Sequence, residues 1–365
     1  GVGGSSPPSG TIEAHSPTLT PSTLRQTSGW DLVTGMTDVT GLHQQVRRTI
    51  RRYGLAPPGT RILVGLSGGS DSVALTRLLL DLADLGEFRV AGLAHLNHQL
   101  RASADGDEAF CRQFAERNGL AIVTEAVDVR ADAQKNSLSV EDAARRLRYA
   151  FFDRVAADIG ADRIAVGHTQ DDQAETFLLK LMRGAGLTGL GGIYPRRGAL
   201  IRPLLEVTDA ALRVYLTAQG ERWVEDESNG DLHNPRNRVR HRILPEMDRA
   251  AGGSSHRAIA RAARLIREDG QWLDELCDER FSRLVVKTES GLEMDVKGLA
   301  ATPPPVRRRV LLRAMRAAAG THEVGLEHVE AVAALLGQTR GGVDVPGCRV
   351  EVHGANLVLL RSGVV

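Results

Sequence analysis

The chain has 365 residues, 42% of them hydrophobic, with 46 Lys+Arg against 45 Asp+Glu and a formal net charge of +1. That length allows two or three domains, and the near-neutral balance means that any polyanion-binding surface must be sought locally. No uncharged apolar run reaches membrane-spanning length. The three cysteines (Cys111, Cys277, Cys348) stand far apart with no CxxC pair, which excludes an obvious zinc or iron–sulfur site and fits a reducing cytoplasm.

Residues 1–40 are rich in Gly, Ser, Thr and Pro without a sustained period, a composition expected to stay disordered. A basic start followed by an apolar core, the mark of a secretory signal, is not found there. Met36 directly precedes the first helical pattern and is expected to be the biological start. Leu42, Val46 and Ile50 then recur at helical spacing until Pro57 and Pro58, and a first strand is expected over 61–66. Further strands are expected over 88–96, 120–127 and 163–167, and helices over 105–118, 140–159 and 170–183. This βαβα rhythm predicts an α/β fold with a doubly wound, mostly parallel sheet over 41–245. A mainly helical region is expected over 246–365. Its helices cover 306–319 and 326–336, and a small hairpin is expected over 341–360. Ligands of doubly wound sheets bind outside the carboxyl ends of the strands, and three unusual strings fall there.

The first string is Val64-Gly65-Leu66-Ser67-Gly68-Gly69-Ser70-Asp71-Ser72, a strand end, a glycine turn and a helix start. Gly68 and Gly69 admit positive φ and carry no Cβ. Ser67, Ser70 and Ser72 add hydroxyls, and the helix N-terminus adds partial positive charge, a nest suited to phosphate or pyrophosphate. The Lys-Ser/Thr ending of a Walker A loop is absent, which disfavours a P-loop kinase or GTPase. Asp71 opposes an anion unless a divalent cation lies between them.

The second string, His95-Leu96-Asn97-His98-Gln99-Leu100-Arg101, follows the second strand. It reads as a polar exit loop or as part of a ligand site; no third ligand stands near for zinc, and Arg101 is a candidate partner for phosphate oxygens. The third string is Gly167-His168-Thr169-Gln170-Asp171-Asp172-Gln173-Ala174-Glu175-Thr176. Thr169 and Asp172 have capping-box spacing, so a helix starts here with Asp171, Asp172 and Glu175 on its first turns. Downstream, Arg236, Arg238, Arg240 and Arg242 alternate along the chain beside His233 and His241, and Arg257, Arg261, Arg264 and Arg267 form one helical stripe. Arg307, Arg308, Arg309, Arg313 and Arg316 make a second basic helix.

The SGGxDS pattern resembles the pyrophosphate-loop ATPases, which adenylate a substrate and release pyrophosphate. With the HxNHxLR and HxxDDQxET strings, the chain resembles the tRNA(Ile)-lysidine synthetases. Arg183-Gly184-Ala185-Gly186 with Gly189-Leu190, Arg202-Pro203-Leu204-Leu205, and Asp226-Glu227-Ser228-Asn229 with Arg236-Asn237-Arg238-Val239-Arg240 extend the resemblance across 42–247. The resemblance implies ATP and Mg²⁺ as cofactors and, as partners, L-lysine and the isoleucine tRNA with a CAU anticodon; a homodimer is a further candidate assembly. It implies ligation of lysine to C2 of the wobble cytidine through an adenylated intermediate, which moves codon specificity from AUG to AUA. On this reading Ser67, Gly68, Gly69, Ser70 and Ser72 hold pyrophosphate, Asp71 and Asp171 are metal candidates, and His95, Asn97, His98 and Arg101 line the nucleotide pocket. Asp171, Asp172 and Glu175 are candidates for lysine, with Asp172 or Glu175 as proton acceptor and His168 as a lesser catalytic candidate. Arg236, Arg238, Arg240, Arg257, Arg261 and Arg264 are the tRNA-binding candidates. The alternatives are a cytidine thiolase, which would need cysteines paired or near the loop, a small-molecule synthetase, which leaves the basic stripes unexplained, and a non-catalytic RNA-binding protein, which has no use for Asp71 and the acidic string.

Overall fold

The computed structural model describes residue 1 and residues 39–100, 103–225, 230–289, 291–320 and 322–361. The extension expected to be disordered falls outside them, with Met36, except that residues 39–40 already belong to the first helix; Arg101 and the string 226–229 also lie outside the described residues. The first part of the chain runs α1 (Val39–Arg52), β1 (Arg61–Gly65), α2 (Ser70–Ala83), β2 (Arg89–Asn97), α3 (Ala104–Arg117), β3 (Ile122–Ala126) and α4 (Val129–Asn136). It continues through α5 (Val140–Ile159), β4 (Arg163–Ala165), α6 (Gln170–Met182), α7 (Leu187–Leu190), β5 (Arg196–Arg197), β6 (Leu200–Ile201) and α8 (Asp209–Ala218).

The strands form one sheet in the order β3-β2-β1-β4-β6-β5, parallel throughout except for the β5–β6 pair. Side chains alternate across a strand, and β1 shows the consequence. Ile62 and Val64 pack with Leu75, Leu79, Phe114 and Leu216 on one face, while Leu63 packs with Phe151, Phe152 and Val155 on the other. Burial on both faces is why β1 reads as an unbroken apolar run. The chain moves outward from β1 to β3 and then returns across to β4, so the order reverses between β1 and β4. That gap is where a doubly wound sheet opens a crevice for ligands.

After α8 come α9 (Pro235–Arg238), a π-helical turn (Val239–Ile243), α10 (Leu244–Ala251), α11 (Ser255–Leu284), β7 (Val285–Lys287), β8 (Gly291–Asp295) and α12 (Val296–Ala301). The chain closes with α13 (Pro304–Ala319), α14 (Leu326–Ala334), β9 (Arg340–Val345), β10 (Cys348–His353) and β11 (Asn356–Arg361). Here the structure corrects the expectation of a small hairpin. The end of the chain belongs to a five-stranded antiparallel sheet, β7-β8-β11-β10-β9. The local pattern over 341–360 reveals only the strands that pair locally, whereas β11 pairs with β8 from the far side of α13. Val345, Val350, Val352 and Leu359 of this sheet bury against Val310, Leu311, Ala314 and Met315 of α13. The long helix α11 serves both layers. Ile259 near its start packs on Ala174 and Leu178 of α6, and Cys277 near its end belongs to the core of the second sheet.

Candidate active site

The loop after β1 folds as a nest. Gly68 has φ +90°, a conformation that L side chains rarely adopt, and a Cβ there would meet Cys111 Sγ at 3.4 Å. Gly69 caps α2 from an extended conformation without a side-chain bond, so the first amides of α2 have no side-chain cap. The Ser72 hydroxyl accepts from the Ser67 N–H (3.1 Å) and donates to the Gly69 carbonyl (3.0 Å). The Ser70 hydroxyl donates to Asp71 Oδ1 at 3.1 Å. These bonds hold the loop shape before any ligand arrives.

The loop after β4 presses against this nest. A Cβ on Gly167 would lie 3.0 Å from the Asp71 carbonyl carbon and 3.2 Å from the Ser72 amide nitrogen. Gly167→Ala is therefore expected to push the loop by a few tenths of an ångström and to weaken ATP binding about tenfold with little loss of thermal stability, measured by calorimetric titration and melting. The carboxyl ends of β1, β2 and β4 together line a cleft of about 600 Å³, with Ser67, Asp71, Ser72, His95, Asn97, His98, Gly167 and His168 on its walls. Tyr149, Phe152 and Arg148, all from α5, complete it.

The third string starts α6 through the capping box its spacing predicts: the Thr169 N–H donates to Asp172 Oδ2 (2.9 Å) and the Asp172 N–H to Thr169 Oγ1 (3.3 Å). Its acids do not act as one group. Asp171 turns away, accepting from the Asp209 N–H at the start of α8 (2.8 Å) and lying 3.5 Å from His256 of α11. Glu175 is fully buried, and its two oxygens are taken by Arg236 Nε (2.6 Å) and Arg240 Nε (2.5 Å). Arg236 Nη2 also donates to Asp172 Oδ1 at 2.6 Å. The π-helical turn that carries Arg240 is the kind of local irregularity that re-aims a side chain at a functional site.

Burial and then the negative charge of Asp172 push Asp71 up to about 6. Burial, followed by Asp71 and Asp171, pushes Asp209 up to about 8. Burial opposes ionisation of Asp172 too, but the guanidinium of Arg236, the Thr169 N–H and Arg240 hold it below the usual carboxylate range. Asp209 Oδ1 is buried without a hydrogen-bond partner among the described residues. Asp71 and Asp209 thus lack the close cationic partner that Arg236 gives Asp172. Among the described residues no three His, Cys, Asp or Glu side chains stand ready to hold a metal. The fit is to a cation that brings most of its own oxygen shell, as Mg²⁺ bound to triphosphate does. His168 is held down to about 4, by burial first and then by the charges of Arg202 and Arg236. Arg202 Nε donates to its Nδ1 at 3.3 Å, so Nε2 carries the proton and is a donor.

A profile of the PP-loop domain family matches residues 42–247. The tRNA(Ile)-lysidine synthase of Geobacter sulfurreducens is 40% identical over 306 residues, 82% of this chain and 64% of that protein. That of Symbiobacterium thermophilum is 37% identical over 88% of this chain and 69% of its own length, and that of Chlorobaculum tepidum 33% identical over 86% and 95%. The chain belongs to the tRNA(Ile)-lysidine synthase family. It spans a little under two thirds of the Geobacter relative's length. A solved U34-tRNA thiolase, NcsA from Methanococcus maripaludis, superposes with a TM-score of 0.51 at 19% identity, covering 62% of this chain and 78% of that one, which shows the shared fold.

Within this member of the lysidine synthase family, the structure gathers Ser67, Asp71, Ser72, His95, Asn97, His98 and His168 at one cleft, as the strings anticipate. Asn97 is committed within that wall: its side chain donates to Asp105 (3.1 Å) and Glu108 (3.3 Å) and accepts from the Gln99 N–H (3.0 Å). Several expected roles need correction. Asp171 is tied to the starts of α8 and α11, so it does not stand with Asp71 as a metal ligand. Glu175 has no free oxygen for lysine, because the buried helix face it occupies is reached by two guanidiniums first. Arg236 and Arg240 are correspondingly turned inward onto Glu175 and Asp172, so neither presents an uncommitted guanidinium to RNA, whereas Arg238 is exposed and donates through Nη1 to the Leu232 and His233 carbonyls (3.0 and 2.9 Å). Arg267 leaves the expected stripe: it is buried and donates to the Gly191 and Ile193 carbonyls. Arg309 and Arg313 pair with Asp274 and Asp278, tying α13 to α11. Asp209, Arg148 and Arg202 join the site without having been anticipated. Arg202 lies in a string already singled out, Asp209 follows a Thr208 helix cap, and Arg148 carries no local signal because only the fold turns that face of α5 to the cleft.

Proposed function

We propose that this chain ligates L-lysine to C2 of the wobble cytidine in the CAU-anticodon isoleucine tRNA, using ATP and releasing AMP and pyrophosphate. The observation that carries this reading is the single cleft shared by the pyrophosphate-loop hydroxyls, Asp71 and His168, at the point where the sheet reverses its strand order. ATP use accompanies membership of the PP-loop family. The amides and hydroxyls of 67–72 hold the β,γ-phosphates, and attack of the cytidine C2 oxygen on the α-phosphate expels pyrophosphate. The lysine ε-amine then attacks C2 and AMP departs. Asp71 would hold Mg²⁺, which would supply charge neutralisation at the phosphates. A second positive charge, the lysine ammonium, suits Asp209 better than the occupied Glu175 and Asp172, since Asp209 Oδ1 has no partner among the described residues. His168, neutral with its proton on Nε2, donates to the nucleotide and is not the base.

The tRNA is taken up by a surface contributed by the 246–365 region. Arg257 and Arg261 are exposed near the start of α11, whereas Arg264 is shared with Glu268 at 3.2 Å. Charge reversal of Arg257 and Arg261 together is expected to weaken tRNA binding about tenfold or more and to flatten its salt dependence by about two phosphate contacts; unchanged affinity in filter binding would leave α11 merely solvated. Among the described residues no helix is long and apolar enough to cross a membrane, and the three reduced, buried cysteines suit action in the cytoplasm. The deciding experiment is mass spectrometry of tRNA nucleosides after incubation with ATP, Mg²⁺ and isotopically labelled lysine. A lysine-bearing cytidine at the wobble position is expected, and its absence with folded protein would reject the proposal.

A further inference from the structure

The phosphate nest brings no cation of its own. Residues 64–72 contain no lysine or arginine, and their one ionisable side chain, Asp71, is an acid. A departing pyrophosphate gathers negative charge, and a guanidinium paired with it stabilises that charge more strongly than neutral amides and hydroxyls do. The guanidiniums that act most on Asp71 are those of Arg240 and then Arg213. Arg240 is committed to the buried Glu175. Arg213 is held far more loosely.

Arg213 lies one turn after Asp209 on α8, so the two share a face of that helix. The negative charges that act on its guanidinium are those of Glu225, then Asp71, then Asp209. Its Nη1 donates to Glu225 Oε1 (2.6 Å) and its Nη2 to Oε2 (3.3 Å). Both side chains are open to solvent, at 45% and 61% exposure. An exposed pair of this kind contributes little and is readily exchanged for another partner.

Glu225 ends a short strap, residues 223–225, that lies along the nest. The Val224 N–H donates to the Gly68 carbonyl (2.9 Å), and a Cβ on Gly68 would meet Val224 Cγ2 at 3.4 Å. Trp223 packs on the main core, and its indole N–H donates to Glu225 Oε1 (2.7 Å). The carboxylate that holds Arg213 therefore stands one residue beyond the contact with Gly68. It parks a guanidinium beside a loop that lacks one.

We propose that Arg213 is a pyrophosphate-binding residue, held beside the nest by Glu225 and passed from that carboxylate to the β,γ-phosphates when they occupy the loop. The guanidinium fork matches phosphate oxygens as well as it matches a carboxylate, and the multiply charged pyrophosphate attracts it more strongly than one exposed carboxylate does. This rests on the function proposed above and adds the cation that the loop string lacks.

If the pair only pinned the strap, neutralising Glu225 would loosen the nest and weaken phosphate binding. If Glu225 parks Arg213, the same change tightens binding. In Glu225→Gln the amide oxygen still accepts from Trp223, but the charge that retains the guanidinium is gone. Calorimetric titration of the full chain with inorganic pyrophosphate is expected to show binding about two- to fivefold tighter in Glu225→Gln. Arg213→Ala is expected to bind pyrophosphate and ATP about tenfold more weakly and AMP as the wild type does, since AMP has no β,γ-phosphates. Arg213→Lys should recover part of the loss, as a point charge without the fork. The Trp223 indole shares Glu225 Oε1 with Arg213, so its ¹H–¹⁵N signal, assigned through Trp223→Phe, reports departure of the guanidinium. Saturating pyrophosphate is expected to move that signal in the wild type, AMP to leave it in place, and pyrophosphate to leave it in place in Arg213→Ala. Unchanged pyrophosphate affinity in Arg213→Ala, unchanged or weaker affinity in Glu225→Gln, or an indole signal unmoved by pyrophosphate in the wild type would overturn the proposal. A wild-type protein that binds neither pyrophosphate nor ATP would remove the nest and this pair together. One that meets these expectations yet adds no lysine to tRNA would reject the proposed function and leave the pair standing.

Discussion

Replacing Asp71 with asparagine is expected to slow tRNA-dependent pyrophosphate release by about 10²–10³-fold and, at the same time, to stabilise the ligand-free protein at alkaline pH. Both effects have one origin. Asp71 sits in the nest's first helical turn, where burial and the neighbouring Asp172 raise it from an ordinary value near 3.8 to about 6. A carboxyl whose folded value is raised contributes its full stability below the unfolded value, near pH 4, and loses it as pH rises through about 6. Above pH 7 the wild-type chain therefore carries a penalty of about 2–3 kcal/mol that asparagine removes. Melting curves from about pH 4 to pH 8 should show the variant gaining on the wild type across that interval, with tRNA affinity nearly unchanged. Near-normal pyrophosphate release would remove Asp71 from metal and phosphate handling.

The second large effect is expected at Glu175, and it is structural. Glu175 is buried at the centre of a four-residue network in which Arg236 bridges it to Asp172 and Arg240 takes its second oxygen. Removing one partner of a buried ion pair leaves charge uncompensated and costs about 3–5 kcal/mol. Glu175→Ala should therefore lower the melting temperature sharply and depress activity at all substrate concentrations, without a selective rise in the lysine requirement. A variant that melts like the wild type but needs more lysine would show instead that the two guanidiniums yield Glu175 to the substrate. Asp209→Asn separates the two readings further, since it leaves the network whole.

Much of the architecture was legible from residue patterns alone, because the features concerned are local. Apolar runs of strand length, capping at Thr169 and the glycine turn after β1 are each set by a few neighbouring residues, and the doubly wound parallel sheet follows from the alternation of strands and helices. The short helix α4 and the strands β7 and β8 were missed: their sequences carry weak periodicity, and the strands are stabilised by partners distant in the chain. The second sheet was consequently seen only as its local end.

By itself the sequence determined which groups the site could draw on: the phosphate nest at 67–72, the imidazoles at 95, 98 and 168, and the acids that start α6. Spacing along one chain sets which side chains share a turn, and no more. Which acid is free, which arginine is spent and which imidazole nitrogen holds its proton were decided by tertiary contacts: Arg236 and Arg240 closing on Glu175, Arg267 reaching the Gly191 carbonyl, and Arg148 donating to His98. A charge or a tautomer is settled by what stands within about 3 Å of it, and in this fold that neighbour nearly always comes from another element.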